Sequence, residues 1–253
     1  MLNNDKSEHY PNAPLIEALV DIQVSMPSTF NVELLTTFAD SVKAAFPVKN
    51  NLYQLSAMMQ FGPEAANQSA TSSQQHIGFR LSDAENKKII QIREGGFSFS
   101  LLKPYSDWSS FSIEATKYWA DFVSICKPEK VVRCALRYIN RIDIPLQTVE
   151  IEKYLNIYPK LPDLPDDATY TIAGMQMSVL LPQDALGDAV VNLATVDPYS
   201  PDGTSILLDI DIYKLVGINP TSELVWDLLS SQRGKKNELF ENFITDKTRE
   251  LIK

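Results

Sequence analysis

The stretch Val131-Val-Arg-Cys-Ala-Leu-Arg-Tyr-Ile-Asn-Arg-Ile-Asp-Ile-Pro145 governs how the rest of the chain is read. Successive side chains of a strand point to opposite faces, so the segment is parsed with period two. Val132, Cys134, Leu136, Tyr138, Asn140, Ile142 and Ile144 then share one face. Arg133, Ala135, Arg137, Ile139, Arg141 and Asp143 share the other. The pattern predicts a long strand with an apolar side and a basic side. It lies just past the midpoint of 253 residues, where a second half of the chain begins.

Upstream, Met1 to Asn12 is polar and reads as a loosely held tail. Leu15 to Met26 is a strand, with Ile16, Ala18, Val20, Ile22 and Val24 opposite Glu17, Leu19, Asp21, Gln23 and Ser25. Asn31 can cap a helix that runs to about Phe46, where Pro47 ends it. A strand over Leu52 to Phe61 precedes a loop, Gly62 to Gln75, rich in Ser, Ala, Asn and Gln. His76 to Leu81, Lys87 to Glu94 and Phe97 to Leu102 form a meander, with Gly95-Gly96 at a tight turn. Asp107 caps a second helix whose apolar positions recur every three or four residues from Trp108 to Ile125.

Downstream, Thr148 to Tyr158 is expected as a short helix, followed by a proline-rich connection. Tyr170 to Leu181, Ala189 to Val196 and Ser205 to Tyr213 are strands, and a final helical segment from Thr221 to Ile252 breaks near Gly234. The two halves thus read β-α-β-β-β-β-α and β-α-β-β-β-α. The expected class is α+β. After a tail at 1–12, duplicated halves at 13–128 and 129–253, related by a pseudo-two-fold axis, build antiparallel sheet with helices packed on one face. A single irregular α+β domain is the competing description.

The chain carries 23 basic and 32 acidic residues, a net charge of -9. That disfavours nucleic acid and anionic membranes as partners of the whole surface. No apolar run approaches the roughly 20 residues that span a bilayer, and the first residues lack an apolar signal segment. Cys126 and Cys134 are the only cysteines and lie in apolar contexts, which fits a reducing cytoplasm. Neither nucleotide fingerprint occurs, so no cofactor is expected. His9 and His76 give little material for a metal site or a Ser-His-Asp triad.

Chemistry concentrates on the polar faces of three strands. Arg133, Arg137 and Arg141 present planar forks suited to phosphate or carboxylate oxygens. Glu17 and Asp21 are expected near Arg137 and Arg141, because the first strands of two duplicated halves meet at the pseudo-dyad. Asp209 and Asp211, two apart on the last strand, point the same way and could hold Mg²⁺ with substrate phosphates. The competing reading of all seven residues is a structural ion-pair ladder across neighbouring strands.

Pro11-Asn-Ala-Pro-Leu-Ile-Glu-Ala-Leu-Val-Asp-Ile22, Pro104-Tyr-x-x-Trp108, Arg137-Tyr-Ile-Asn-Arg-Ile-Asp-Ile-Pro145 and Phe240-Glu-x-x-Ile-Thr245 follow one another in order. In these the chain resembles a sporadically distributed family of bacterial and archaeal proteins with no established function. The resemblance implies no catalytic residues. The patchy distribution implies an accessory setting, such as a defence or toxin–antitoxin module. Two functions remain open: a non-catalytic binding or regulatory protein that recognises a partner protein or a second copy of itself, or a binder or Mg-dependent hydrolase of a phosphate-bearing anionic small molecule on the arginine face.

Overall fold

The computed structural model describes residues 10–60, 69–160, 162, 174–182 and 184–253, with backbone alone at 55–60, 69–73 and 184. Its first part contains β1 (Leu15–Ser25), α1 (Glu33–Ser41), β2 (Val48–Gln60), β3 (Ser69–Ser82), β4 (Lys88–Arg93), β5 (Gly96–Leu102) and α2 (Trp108–Cys126). Then come β6 (Lys130–Ile144), β7 (Gln176–Pro182), β8 (Asp188–Val196), β9 (Thr204–Ile218), α3 (Leu224–Phe243) and α4 (Asp246–Ile252). The nine strands form one sheet in the order β2-β3-β4-β5-β1-β6-β9-β8-β7. Every neighbouring pair is antiparallel, and the class is α+β.

The apolar face of β1 is fully buried at Ala18, Val20 and Ile22. It shares one core cluster with Leu35 and Phe38 of α1, Phe97 and Phe99 of β5, and Phe111 and Phe122 of α2. Phe38 meets Phe97 and Phe122 edge-on at centroid distances of 6.4 and 6.0 Å. That is the arrangement the ring quadrupole favours. A second cluster joins Ile206, Leu208, Ile210 and Ile212 of β9 to Val191 and Leu193 of β8, Leu239 and Phe240 of α3 and Ile252 of α4. Each such side chain contributes about 1.5–3 kcal/mol when fully buried.

Several local expectations change. On β6 it is Val131, not Val132, that enters the core. Against β1 the register shifts between Val131 and Arg133, so β6 holds an extra residue there that reverses its alternation; against β9 the extra residue lies in β9, between Leu215 and Ile218. Residues 69–75, expected as loop, belong to β3 and pair with β2 as far as Ser69 opposite Gln60. The remainder of that expected loop, 62–68, lies outside the described residues, as does the start of the strand expected from Tyr170.

Thr148 to Tyr158 forms only a 3-10 turn at Ile151–Lys153, after which Leu155 bridges Ile244. That bridge also explains where the last helical segment breaks. α3 runs straight through Gly234, and the chain turns extended at Ile244, ψ 149°. Asn156 caps the exit by donating to the carbonyls of Asn242 and Ile244. α1 stops at Ser41, short of Phe46. Asp107 caps α2 as expected, accepting from the Ser110 amide at 2.8 Å. The end of the polar tail is tied down: Tyr10 is buried, and Asn12 donates to the carbonyls of Ile252 and Lys253.

Candidate functional site

β6 lies at the middle of the sheet between β1 and β9. Its register sets which charges meet. Asp21 stands opposite Ala135, Arg137 opposite Asp211, and Ile139 opposite Asp209. The long guanidinium side chains therefore reach diagonally. Arg137 forms a two-pronged contact with Asp209, Nε and Nη2 each 2.8 Å from a carboxylate oxygen, and Asn192 of β8 adds a third donor at 3.0 Å. Arg133 donates to Asp21 at 3.0 Å and Asp211 at 3.3 Å, and its guanidinium lies 4.7 Å from the centroid of the Tyr213 ring. Asp21 also takes Arg93 of β4 at 2.6 Å.

Arg141 lies beyond this group. Its amide donates to Pro14, just before β1 begins, and its guanidinium binds Asp143, the Asp197 carbonyl and Ser205 at 2.8–2.9 Å. Tyr199 stacks on it at 3.6 Å, and Ser205 donates in turn to Asp143.

The expected meeting of Glu17 and Asp21 with Arg137 and Arg141 is thus redistributed. Asp21 pairs with Arg133 and Arg93, and Arg141 pairs with neighbours from β6 and β9. Glu17 acts on Arg137 through its charge. The hydrogen bond from Arg137 to Asp209, with the surrounding carboxylates, raises the Arg137 pKa further above its ordinary value. At Asp211 the charged form is instead disfavoured: burial raises its carboxyl pKa more than Arg133 and Arg137 lower it. One of its oxygens is buried without a hydrogen-bond partner. Desolvation outweighs a long 3.3 Å ion pair here.

Chemically, this face is a charge-balanced ladder. A phosphate arriving at Arg133, Arg137 or Arg141 would have to displace carboxylates already in place. Both oxygens of Asp209 face Arg137, and one oxygen of Asp211 faces Arg133. Among the described residues no group of three or more His, Cys, Asp and Glu side chains is arranged to hold a metal ion. Cys126 and Cys134 are buried, and burial pushes both thiols up to about 12, far from the thiolate form a nucleophile needs. No helix of the described chain is long and apolar enough to cross a membrane.

The opposite face of β6 borders a cavity of about 600 Å³. Its wall combines Tyr138 and Asn140 of β6, Tyr105 just ahead of α2, Trp108 at its start, and Arg233, Lys236 and Phe240 of α3. Asn140, buried among apolar residues, donates to the Leu208 carbonyl at 3.1 Å, as a buried amide must. The Tyr105 and Tyr138 hydroxyls share a hydrogen bond at 3.0 Å, and Lys236 Nζ sits 3.9 Å from the Tyr138 ring centroid.

Sequence reasoning missed this site. Each of the four segments quoted for the resemblance contributes to its wall, through Pro11, Pro104, Tyr138 and Phe240 among others. The basic pair Arg233 and Lys236, three apart on a helix and so on one side of it, was the available signal. No family model matches the chain, and no curated protein matches it.

Proposed function

We propose that this is a non-catalytic binding protein that recognises a partner protein through the charged outer face of its sheet. The observation that carries the reading is the state of that face. Its central charges satisfy one another, while Leu180 of β7 and Leu215 of β9 stand 57% and 73% exposed beside them. Both residues continue the outward alternation: Leu180 pairs with Val190, itself opposite Asp211, and Leu215 pairs with Arg133. Internally paired charges do not demand counter-ions. They can be covered by a partner whose own surface is apolar at its centre and polar at its rim.

The test is recovery of the tagged full chain, with and without the pair Leu180→Asp and Leu215→Asp, followed by light scattering. The unaltered chain is expected in a complex of defined stoichiometry that the double variant loses, with equal melting temperatures. A lone monomer in both preparations would end this reading. The alternative, a phosphate-bearing ligand on Arg133, Arg137 and Arg141 or Mg²⁺ on Asp209 and Asp211, draws less support because each of these side chains already has a protein partner.

We further propose that residues 13–128 and 129–253 are pseudo-two-fold repeats whose helices lie on the one face. Moving outward from the seam, the order is β1, β5, β4, β3, β2 on one side and β6, β9, β8, β7 on the other; apart from the extra edge strand β2, each first strand is followed by the later strands of its half in reverse order, which supports the repeat. An experimental structure in which the halves fail to superpose about an axis between β1 and β6 would remove the proposal.

A further inference from the structure

We infer that the outer edge of β2 is a self-association site, where β2 of a second copy of the chain pairs antiparallel across a two-fold axis. The two ends of the sheet are built differently. β7 has 7 residues and closes on Pro182, which cannot donate to a further strand. β2 has 13, from Val48 to Gln60, with no proline among them, and no described strand pairs with its outer side. Its one charged residue, Lys49, is held back against the chain, 4.0 Å from Asp40 and 4.2 Å from the Phe79 ring centroid. Short length, proline and edge lysines keep sheet edges from pairing with other chains. β2 lacks the first two and draws the third away from its edge.

The inner side of β2 is incomplete as well. Val48 to Leu52 lie beside Ser82 to Gly78 of β3, which pair in turn with β4. From Tyr53 to Gln60, β2 lies beside His76 to Ser69 of β3, beyond the reach of the β4 pairing. There the described sheet is a two-stranded ribbon, which by itself is marginally stable in water.

This asymmetry along β2 selects the occupant. Antiparallel self-pairing centred near Gln54 sets the ribbon half of each copy against the anchored half of the other. Each ribbon then gains a supported neighbour, and the unpaired backbone groups of both edges are satisfied together. The two Lys49 positions fall about 34 Å apart at the usual strand rise, so no like charges meet. Pairing β2 with β7 of the next copy would instead join unlike edges and grow an open chain.

The test is analytical ultracentrifugation and hydrogen exchange on the full chain. The unaltered chain is expected to sediment as a dimer. The amides of residues 48–60 should exchange about tenfold more slowly in the dimer than after dilution to monomer. Asn50 and Gln54 are exposed, and they meet each other or themselves in two-fold registers centred on residue 50, 52 or 54. Asn50→Lys with Gln54→Lys, and Asn50→Glu with Gln54→Glu, should each be monomeric, and mixing the two should restore a dimer. Leu180→Asp with Leu215→Asp should leave this dimer intact, which separates it from the contact proposed for the outer face. Where a charge variant fails to fold by circular dichroism, the exchange measurement decides. The inference is overturned by a monomeric or open-ended unaltered chain, or by a dimer that survives in both charge variants. It is equally overturned if mixing folded charge variants restores nothing, or if protection at 48–60 does not depend on concentration.

Discussion

The two faces of β6 both carry polar side chains, and the protein treats them in opposite ways. On the outer face, Arg133 and Arg137 are matched by Asp21, Asp209 and Asp211 from the flanking strands. On the inner face, Tyr138 and Asn140 each make one hydrogen bond and then border a cavity. A stripe of arginines looks like an anion site until register supplies its carboxylates. The face that looks like plain core borders the cavity. Charge count alone therefore does not show which charges are already paired. The outer face suits a surface contact.

Replacing Tyr138 with Ala should give the largest effect, because it removes a fully enclosed aromatic ring that packs edge-on against Tyr105 at 5.8 Å. A loss of about 3–5 kcal/mol is expected from equilibrium urea unfolding. Tyr138→Phe, which removes only the hydroxyl, should cost about 0.5–1.5 kcal/mol. Equal losses from the two variants would mean that the hydroxyl pair, rather than ring packing, dominates the inner face.

On the outer face, Asp21→Ala should come next. It leaves Arg93 and Arg133 without a shared acceptor, at side-chain exposures of 26% and 17%. Hydrogen bonds to charged groups contribute about 1.5–3 kcal/mol, and partial solvent access lowers this toward roughly 1–2 kcal/mol. A stability unchanged or increased would show that the ladder is held for specificity rather than strength, as buried ion pairs sometimes are.

How far the sequence disclosed these features follows from what each depends on. The alternation of β6 was legible because one side of it is buried by apolar neighbours throughout, and period two is imposed by backbone geometry. Its bulge at Val131–Arg133 was not, since an inserted residue leaves no compositional trace. The presence of acids near the arginines was readable, but their pairing depends on register. A shift of a few residues exchanges Arg141 for Arg133 as the partner of Asp21.

The first part of β3 was hidden for another reason. Ser69 to Gln75 carries no hydrophobic signal, and its pairing comes from backbone hydrogen bonds to β2. Likewise the turn at Ile151–Lys153 has helical-looking composition, but Leu155 is claimed by Ile244 before a second turn can form. The cavity is the least legible feature, because its wall draws on residues from Tyr10 to Glu241 that only the fold brings together.

The smallest expected effect separates burial from pairing at Asp211. Its carboxyl pKa is raised by burial, against the pull of Arg133 and Arg137 and with the push of Asp209 and Asp21. A carboxyl whose pKa is higher in the folded state binds more protons folded than unfolded between the two pKa values. Stability from this group then falls as pH rises from the ordinary carboxylate range through the raised value, and its cost is complete above that. Asp211→Asn mimics the neutral acid. At neutral pH it should be at least as stable as the unaltered chain, by under about 1 kcal/mol. The difference should close as the pH is lowered through that window, measured by urea unfolding at a series of pH values. A variant less stable at neutral pH, with a gap that shrinks on acidification, would show that the 3.3 Å contact with Arg133 outweighs desolvation and that the outer face is more strongly paired than its burial implies.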